Sequence, residues 1–128
     1  MSTHFNELPA AVKVIWAKTP REEGAAFHPL LLHMLDVAAV AETILEYEPP
    51  SSIRWLSERL GLSKLSHPTR WGAALCGLHD FGKAIPGFQA KSEEGKLRAE
   101  DAGLVFKTSS CMVTNHSCAT VGLLGKPL

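Results

Sequence analysis

No stretch of this 128-residue chain stays apolar long enough to cross a membrane. His, Asp or Gly interrupts each run well short of the roughly 20 residues that a spanning helix needs. The start, Met1-Ser2-Thr3-His4, lacks the charged-then-apolar build of a secretion signal, so the cytoplasm is the expected compartment and no membrane partner is expected. Net charge is also missing: Lys plus Arg is 13 and Asp plus Glu is 13. No overall field draws the chain toward DNA, RNA or an acidic surface, and any contact with nucleic acid has to be local. Three cysteines, Cys76, Cys111 and Cys118, are an odd number without framework spacing and read as reduced thiols. There is no internal repeat and no low-complexity tract. The absence of a Gly-x-x-x-x-Gly-Lys-Ser/Thr phosphate loop excludes an ATP-driven motor within the chain. Strand signals are weak throughout, with Leu104 to Val113 the one ambiguous stretch.

What is present is a chain of ordinary globular composition, 45% hydrophobic and 20% charged. One domain over residues 1–128 is expected, since a globule of this length buries roughly two-thirds of its unfolded surface. Pro20, Gly24, Pro49-Pro50, Gly61, Pro68, Gly82, Pro86-Gly87 and Gly95 cut it into helical lengths, which predicts an all-α fold. The first clear helix spans Pro29 to Glu46, stopped by Pro49-Pro50. Between Pro29 and Glu42 its only polar side chains are His33 and Asp36, so burial on most sides is expected, with both groups carried inside. Ser51-Ser52 offers a cap for a short amphipathic helix through Ile53, Trp55, Leu56 and Leu60, closed by Gly61. A second buried helix is expected from Thr69 through Trp71 and Leu78 to His79-Asp80, with Gly82 as its stop. Lys91 to Asp101 reads as either a solvated helix face or a loop, and Asn115 as the cap of a last helix from His116 to Leu124.

His33, His79-Asp80 and His116 bring imidazoles and a carboxylate from three separated places. That mixture suits one divalent transition metal, Mn, Co, Ni, Fe or Zn, with Mg less suited. A metal so held lowers the pKa of bound water and offsets charge building on phosphate oxygens, so phosphodiester hydrolysis follows. Lys83, three residues past Asp80, lies near enough to help neutralise a phosphate or leaving oxygen. Blander readings stand beside these. His33 and Asp36 also suit a hydrogen-bonded pair inside a helix, and Asp36 is better placed to orient a ligand than to be one. His116 also suits an exposed helix start, and His4 and His67 suit solvent. His28, before Pro29, suits a role in shaping the start of the helix. Cys76-x-x-His79 with His116-x-Cys118 forms a rival structural zinc site, which leaves Asp80 and Lys83 unexplained.

Three segments together have a familiar look: Trp16-Ala17-Lys18-Thr19, then His28-Pro29-Leu30-Leu31-Leu32-His33, then Leu78-His79-Asp80-Phe81-Gly82-Lys83-Ala84-Ile85-Pro86-Gly87-Phe88-Gln89. Over about Trp16 to Leu124 the chain resembles the HD nuclease domain of the CRISPR-associated helicase-nuclease of type I systems. An isolated His-Asp pair is shared by many phosphohydrolases, whereas the run to Phe88-Gln89 with the upstream His-Pro-Leu is far more specific. The resemblance implies an HD-domain helical bundle and a metal-dependent nuclease that degrades single-stranded DNA. It further implies action beside a helicase and a Cascade-like guide-RNA surveillance complex. It carries over His33, His79, Asp80 and His116 as metal ligands and Lys83 as an active-site lysine.

The pattern also departs from that family, whose domains continue with a pair of histidines and a final aspartate that complete two metal sites. No His, Asp or Glu follows His116 here. The expectation is therefore a bundle incomplete at its C-terminal end, the N-terminal portion of a larger nuclease domain, with weak or no activity alone. Two other readings stay open: an HD phosphohydrolase acting on nucleotides, and a non-catalytic HD fragment that binds a partner. One ion per chain is expected, and elemental analysis finding two tightly held ions would contradict it.

Overall fold

A computed structural model describes residues 2–19 and 26–125, so the punctuation at Pro20 and Gly24 lies outside the described residues. The elements run α1 (Ser2–Asn6), α2 (Ala10–Val14), β1 (Trp16–Lys18), β2 (His28–Pro29), α3 (Leu30–Tyr47), α4 (Pro50–Arg59) and α5 (Pro68–Gly77). A 3₁₀ segment over Leu78–Ala84 follows, then α6 (Pro86–Gln89), α7 (Glu93–Asp101), a 3₁₀ turn over Thr108–Cys111 and α8 (His116–Leu124). The fold class is all-α, as the patterning predicts. Strand pairing among the described residues is confined to β1 and β2, antiparallel with Trp16 opposite Pro29 and Lys18 opposite His28. Such short strands carry no alternating pattern, which is why nothing in the sequence points to them. Among the described residues no helix is long and apolar enough to cross a membrane.

Two compact units share the chain, one of Met1–His33 with Asp80–Leu128 and one of Met34–His79. In the first, Gln89 is the best-buried large side chain, at 1% exposure. Its Oε1 accepts from the Trp16 backbone N–H at 3.0 Å, and its Nε2 donates to the carbonyls of Trp16 and Lys83, both at 2.8 Å. The Trp16 indole Nε1 donates in turn to the Gln89 carbonyl at 3.2 Å. A side-chain amide thus does for β1 what a third strand would do, satisfying backbone groups that burial would otherwise leave unpaired. Around this lock, Phe88 stacks on Trp16 with ring centroids 4.8 Å apart, and Ala99 of α7 is fully buried. Helix α7 is capped by Ser92, whose hydroxyl accepts from the Gly95 N–H at 3.0 Å, and Glu93 and Glu94 occupy its first turn where the helix dipole favours them. The Lys91 to Asp101 stretch is therefore helical over most of its length, and Leu104 to Val113 forms no strand.

The second unit is built from α3, α4 and α5. Gly77 permits a close approach within it, because a Cβ there would run into the Met34 carbonyl and the Ala38 side chain. Three helical starts differ in detail from expectation. Pro50 and Pro68 each take the first helical position, displacing the Ser51-Ser52 and Thr69 caps, and α3 begins at Leu30, one residue after Pro29. Proline's fixed φ and missing N–H suit that first position, which leaves the following Ser51 and Thr69 inside the helix rather than at its cap.

A larger correction concerns burial. Of α3 only Leu30 is buried, while Leu35, Val40 and Ile44 are each more than half exposed, and Trp71 and Leu75 of α5 are exposed too. Asp36, expected inside, is exposed. Composition alone predicts an interior helix, but surrounding one takes more neighbours than a unit of three helices supplies. An apolar hollow of about 460 Å³ remains between Ile44, Leu45, Leu56, Leu60 and Leu75. Gln89→Leu should remove three hydrogen bonds and orphan a buried N–H and two buried carbonyls. That should lower stability by about 3–5 kcal/mol in urea unfolding, and a loss under about 1 kcal/mol would refute the lock.

Candidate metal centre

Helix α5 ends at Gly77, earlier than the expected stop at Gly82, and the chain tightens into the 3₁₀ segment that carries His79, Asp80 and Lys83. With three residues per turn, side chains at i and i+3 line up. Asp80 and Lys83 therefore face the same way, and Lys83 Nζ lies 2.7 Å from Asp80 Oδ2. Both are nearly buried, at 6% and 9% exposure. Lys83 Nζ also donates to the Ala17 carbonyl at 3.4 Å.

His33, from the first turn of α3, places Nε2 3.0 Å from the same Asp80 Oδ2. His116, at the start of α8, places Nε2 3.4 Å from Asp80 Oδ1. One desolvated carboxylate thus lies between two imidazoles and an ammonium, all within the first unit. Gly82 secures the His116 side. Its N–H donates to Thr120 Oγ1 at 2.8 Å, and that hydroxyl donates to the His116 carbonyl at 3.0 Å. A Cβ at residue 82 would collide with the His116 carbonyl, so the glycine serves close approach of α8 and not helix termination. Asn115 caps α8 as expected, its Oδ1 accepting from the Cys118 N–H at 3.1 Å. The Phe88 ring lies edge-on to His116, with centroids 5.0 Å apart.

His79 is exposed, and its Nδ1 lies 2.9 Å from the Cys76 carbonyl. A carbonyl only accepts, so Nδ1 carries the proton and Nε2 keeps the lone pair a metal needs. The peptide bond to Asp80 ties this imidazole to the carboxylate, and His33, His79 and Asp80 form a group that could hold an ion. No cysteine belongs to that group among the described residues, and Cys76 and Cys118 are both exposed thiols, so the rival zinc site gains no support. His4 and His67 are exposed, as expected. His28 sits in β2 with its ring edge-on to His33, centroids 5.8 Å apart, a neighbour that a helix-start role does not foresee. Thr120 is a further contact that sequence reasoning missed.

Burial lowers the His33 pKa below its ordinary 6.5, and the positive charges of Lys83 and Lys18 push the same way, while Asp80 opposes them. His33 is therefore neutral at pH 7, and its contact with Asp80 is a hydrogen bond between a neutral ring and a carboxylate. Imidazole and carboxylate donors around a buried charge suit a first-row transition metal, and the Lys83 ammonium marks the place as one that favours a cation.

An all-α fold with a His-Asp pair on a 3₁₀ turn, met by imidazoles from two other helices, defines an HD-type domain. The chain belongs to the Cas3 HD domain family, whose model matches residues 16–128. It is also similar to the CRISPR-associated endonuclease/helicase Cas3 of Thermus thermophilus, at 51% identity over 96 residues. That match covers 75% of this chain and 10% of the relative, so the chain spans about a tenth of that protein's length. No solved structure matches significantly.

Because the folded-state pKa of His33 is lowered, the unfolded chain takes up a proton first as pH falls below 6.5. Stability is therefore lost from 6.5 downward until the folded-state value is passed, at no more than about 1.4 kcal/mol per pH unit from this one proton. Urea unfolding of the wild type and His33→Gln between pH 7.5 and 5 should show a steeper fall in the wild type. Parallel slopes would refute this assignment.

Proposed function

We propose that the chain is a metal-dependent nuclease domain, hydrolysing phosphodiester bonds of single-stranded DNA in type I CRISPR interference. The observation that carries this reading is the buried Asp80 carboxylate between His33 and His116, with His79 peptide-bonded beside it. These four residues would hold a divalent ion, Mn, Co, Ni, Fe or Zn. Bound there, such an ion supplies Lewis acidity toward a phosphate and an activated water. The Nδ1-protonated tautomer of His79 keeps the Nε2 lone pair available, whereas His33 Nε2 donates its proton to Asp80 and would give that proton up to an ion. The Lys83 ammonium, in contact with Asp80, supports a role in offsetting charge on a phosphate or leaving oxygen. Asp36, on the exposed side of α3, has the weakest support as an orienting group.

The basic path needed for a polymer is supported unevenly. Lys96 pairs with Glu100 and Arg98 with Glu94, so both charges are offset on their own helix. Lys91, exposed and 4.8 Å from the centre of the Phe88 ring, lies closer to the chemistry. Membership of the Cas3 HD domain family supports a helicase and a Cascade-like guide-RNA complex as partners. Circular and linear single-stranded DNA, incubated with Mn, Co, Ni, Mg or a chelator, should be cut only with metal. Asp80→Ala should lower the rate at least about 100-fold. Cleavage surviving that substitution removes the reading, and preference for a mononucleotide would favour a nucleotide phosphohydrolase.

A further inference from the structure

The Asp80 carboxylate has more suitors than a ligand normally has. Its Oδ2 already faces His33 Nε2 at 3.0 Å and Lys83 Nζ at 2.7 Å, and the second contact joins a full positive charge to a carboxylate with almost no solvent to screen it. A transition metal binds a carboxylate oxygen at roughly 2.0–2.2 Å. An ammonium has three donors and no lone pair, so it cannot join the ligand set and can only repel the ion from across the shared oxygen. We infer that Lys83 and a divalent cation compete for Asp80 Oδ2, so that loading the site requires the Lys83 side chain to swing off the carboxylate.

The surroundings confine such a motion to the side chain. The Lys83 backbone is pinned, because its carbonyl accepts from the buried Gln89 amide at 2.8 Å and the flanking Gly82 N–H is tied to Thr120. The ammonium stands on four methylenes, with the Ala17 carbonyl at 3.4 Å as a second acceptor already in reach. The exchange makes chemical use of the 3₁₀ segment: the i, i+3 alignment that supplies Asp80 with an internal countercharge also leaves a mobile ammonium beside the ion once it is displaced. By linkage the coupling is reciprocal, so Lys83 weakens metal binding by the factor by which metal weakens the Lys83–Asp80 pair.

This rests on the metal-site reading, and the experiment separates the two. Calorimetry first asks whether the wild-type chain binds Mn²⁺ or Zn²⁺; no binding overturns both. Amine acetylation of the wild type, mapped by peptide mass spectrometry at low conversion, then compares chelator with Zn²⁺. The Lys83 rate should rise at least about fivefold on Zn²⁺ while exposed Lys91 stays constant as the internal control. Binding with an unchanged or lower Lys83 rate overturns the exchange alone and puts the ion on the Oδ1 side, with His116. Lys83→Met should bind Mn²⁺ about 5- to 100-fold more tightly. Lys83→Gln replaces it should circular dichroism show the first variant unfolded. Equal or weaker affinity in the folded variant overturns the proposal.

Discussion

A carboxylate taken out of water has to be compensated, and in this protein that carboxylate is Asp80. Its burial in the 3₁₀ segment would be strongly unfavourable without the Lys83 ammonium and the two imidazoles that meet it. Each arrives by a different structural device. Helical phase brings Lys83, the first turn of α3 brings His33, and the Gly82–Thr120 contact holds α8 so that His116 is in place. The Trp16–Gln89 lock is coupled to the same group, since Gln89 directs one of its two amide donor bonds to the Lys83 carbonyl. What at first reads as separate stabilising detail is one network whose members converge on a single charge.

The same network sets the protonation of its ligands. Burial and the Lys83 charge both disfavour the imidazolium form of His33, so a neutral ring faces the Asp80 carboxylate. On the other side of the His-Asp peptide bond, the Cys76 carbonyl fixes the His79 tautomer by a different route, through a hydrogen bond rather than a field. Two imidazoles are thus prepared by two mechanisms, one electrostatic and one geometric.

Much of this is legible in the residues, and the part that is not has physical reasons. The Asn115 cap and the helix stopped before Pro49-Pro50 are local signals, written in neighbouring residues, and the structure bears them out. Gly82 reads as a helix stop because a glycine near a helix end often is one. Its actual use, clearance for the His116 carbonyl, depends on a segment more than 30 residues away that no local pattern reveals. The β1–β2 pair and the Gln89 amide that completes it are invisible for the same reason. The expected burial of α3 fails differently: composition reports what a helix would prefer to cover, and whether neighbours exist to cover it is a property of the assembled unit.

Charge distribution constrains how a polymer could engage this site. With the sequence balanced in sign and Lys96 and Arg98 committed to acids on their own helix, little long-range attraction is left for a phosphate backbone. The short-range charged groups at the centre itself are the Asp80 carboxylate, the Lys83 ammonium and Lys91 over Phe88. A substrate held mainly through its reacting phosphate is positioned where the chemistry is but gripped weakly elsewhere.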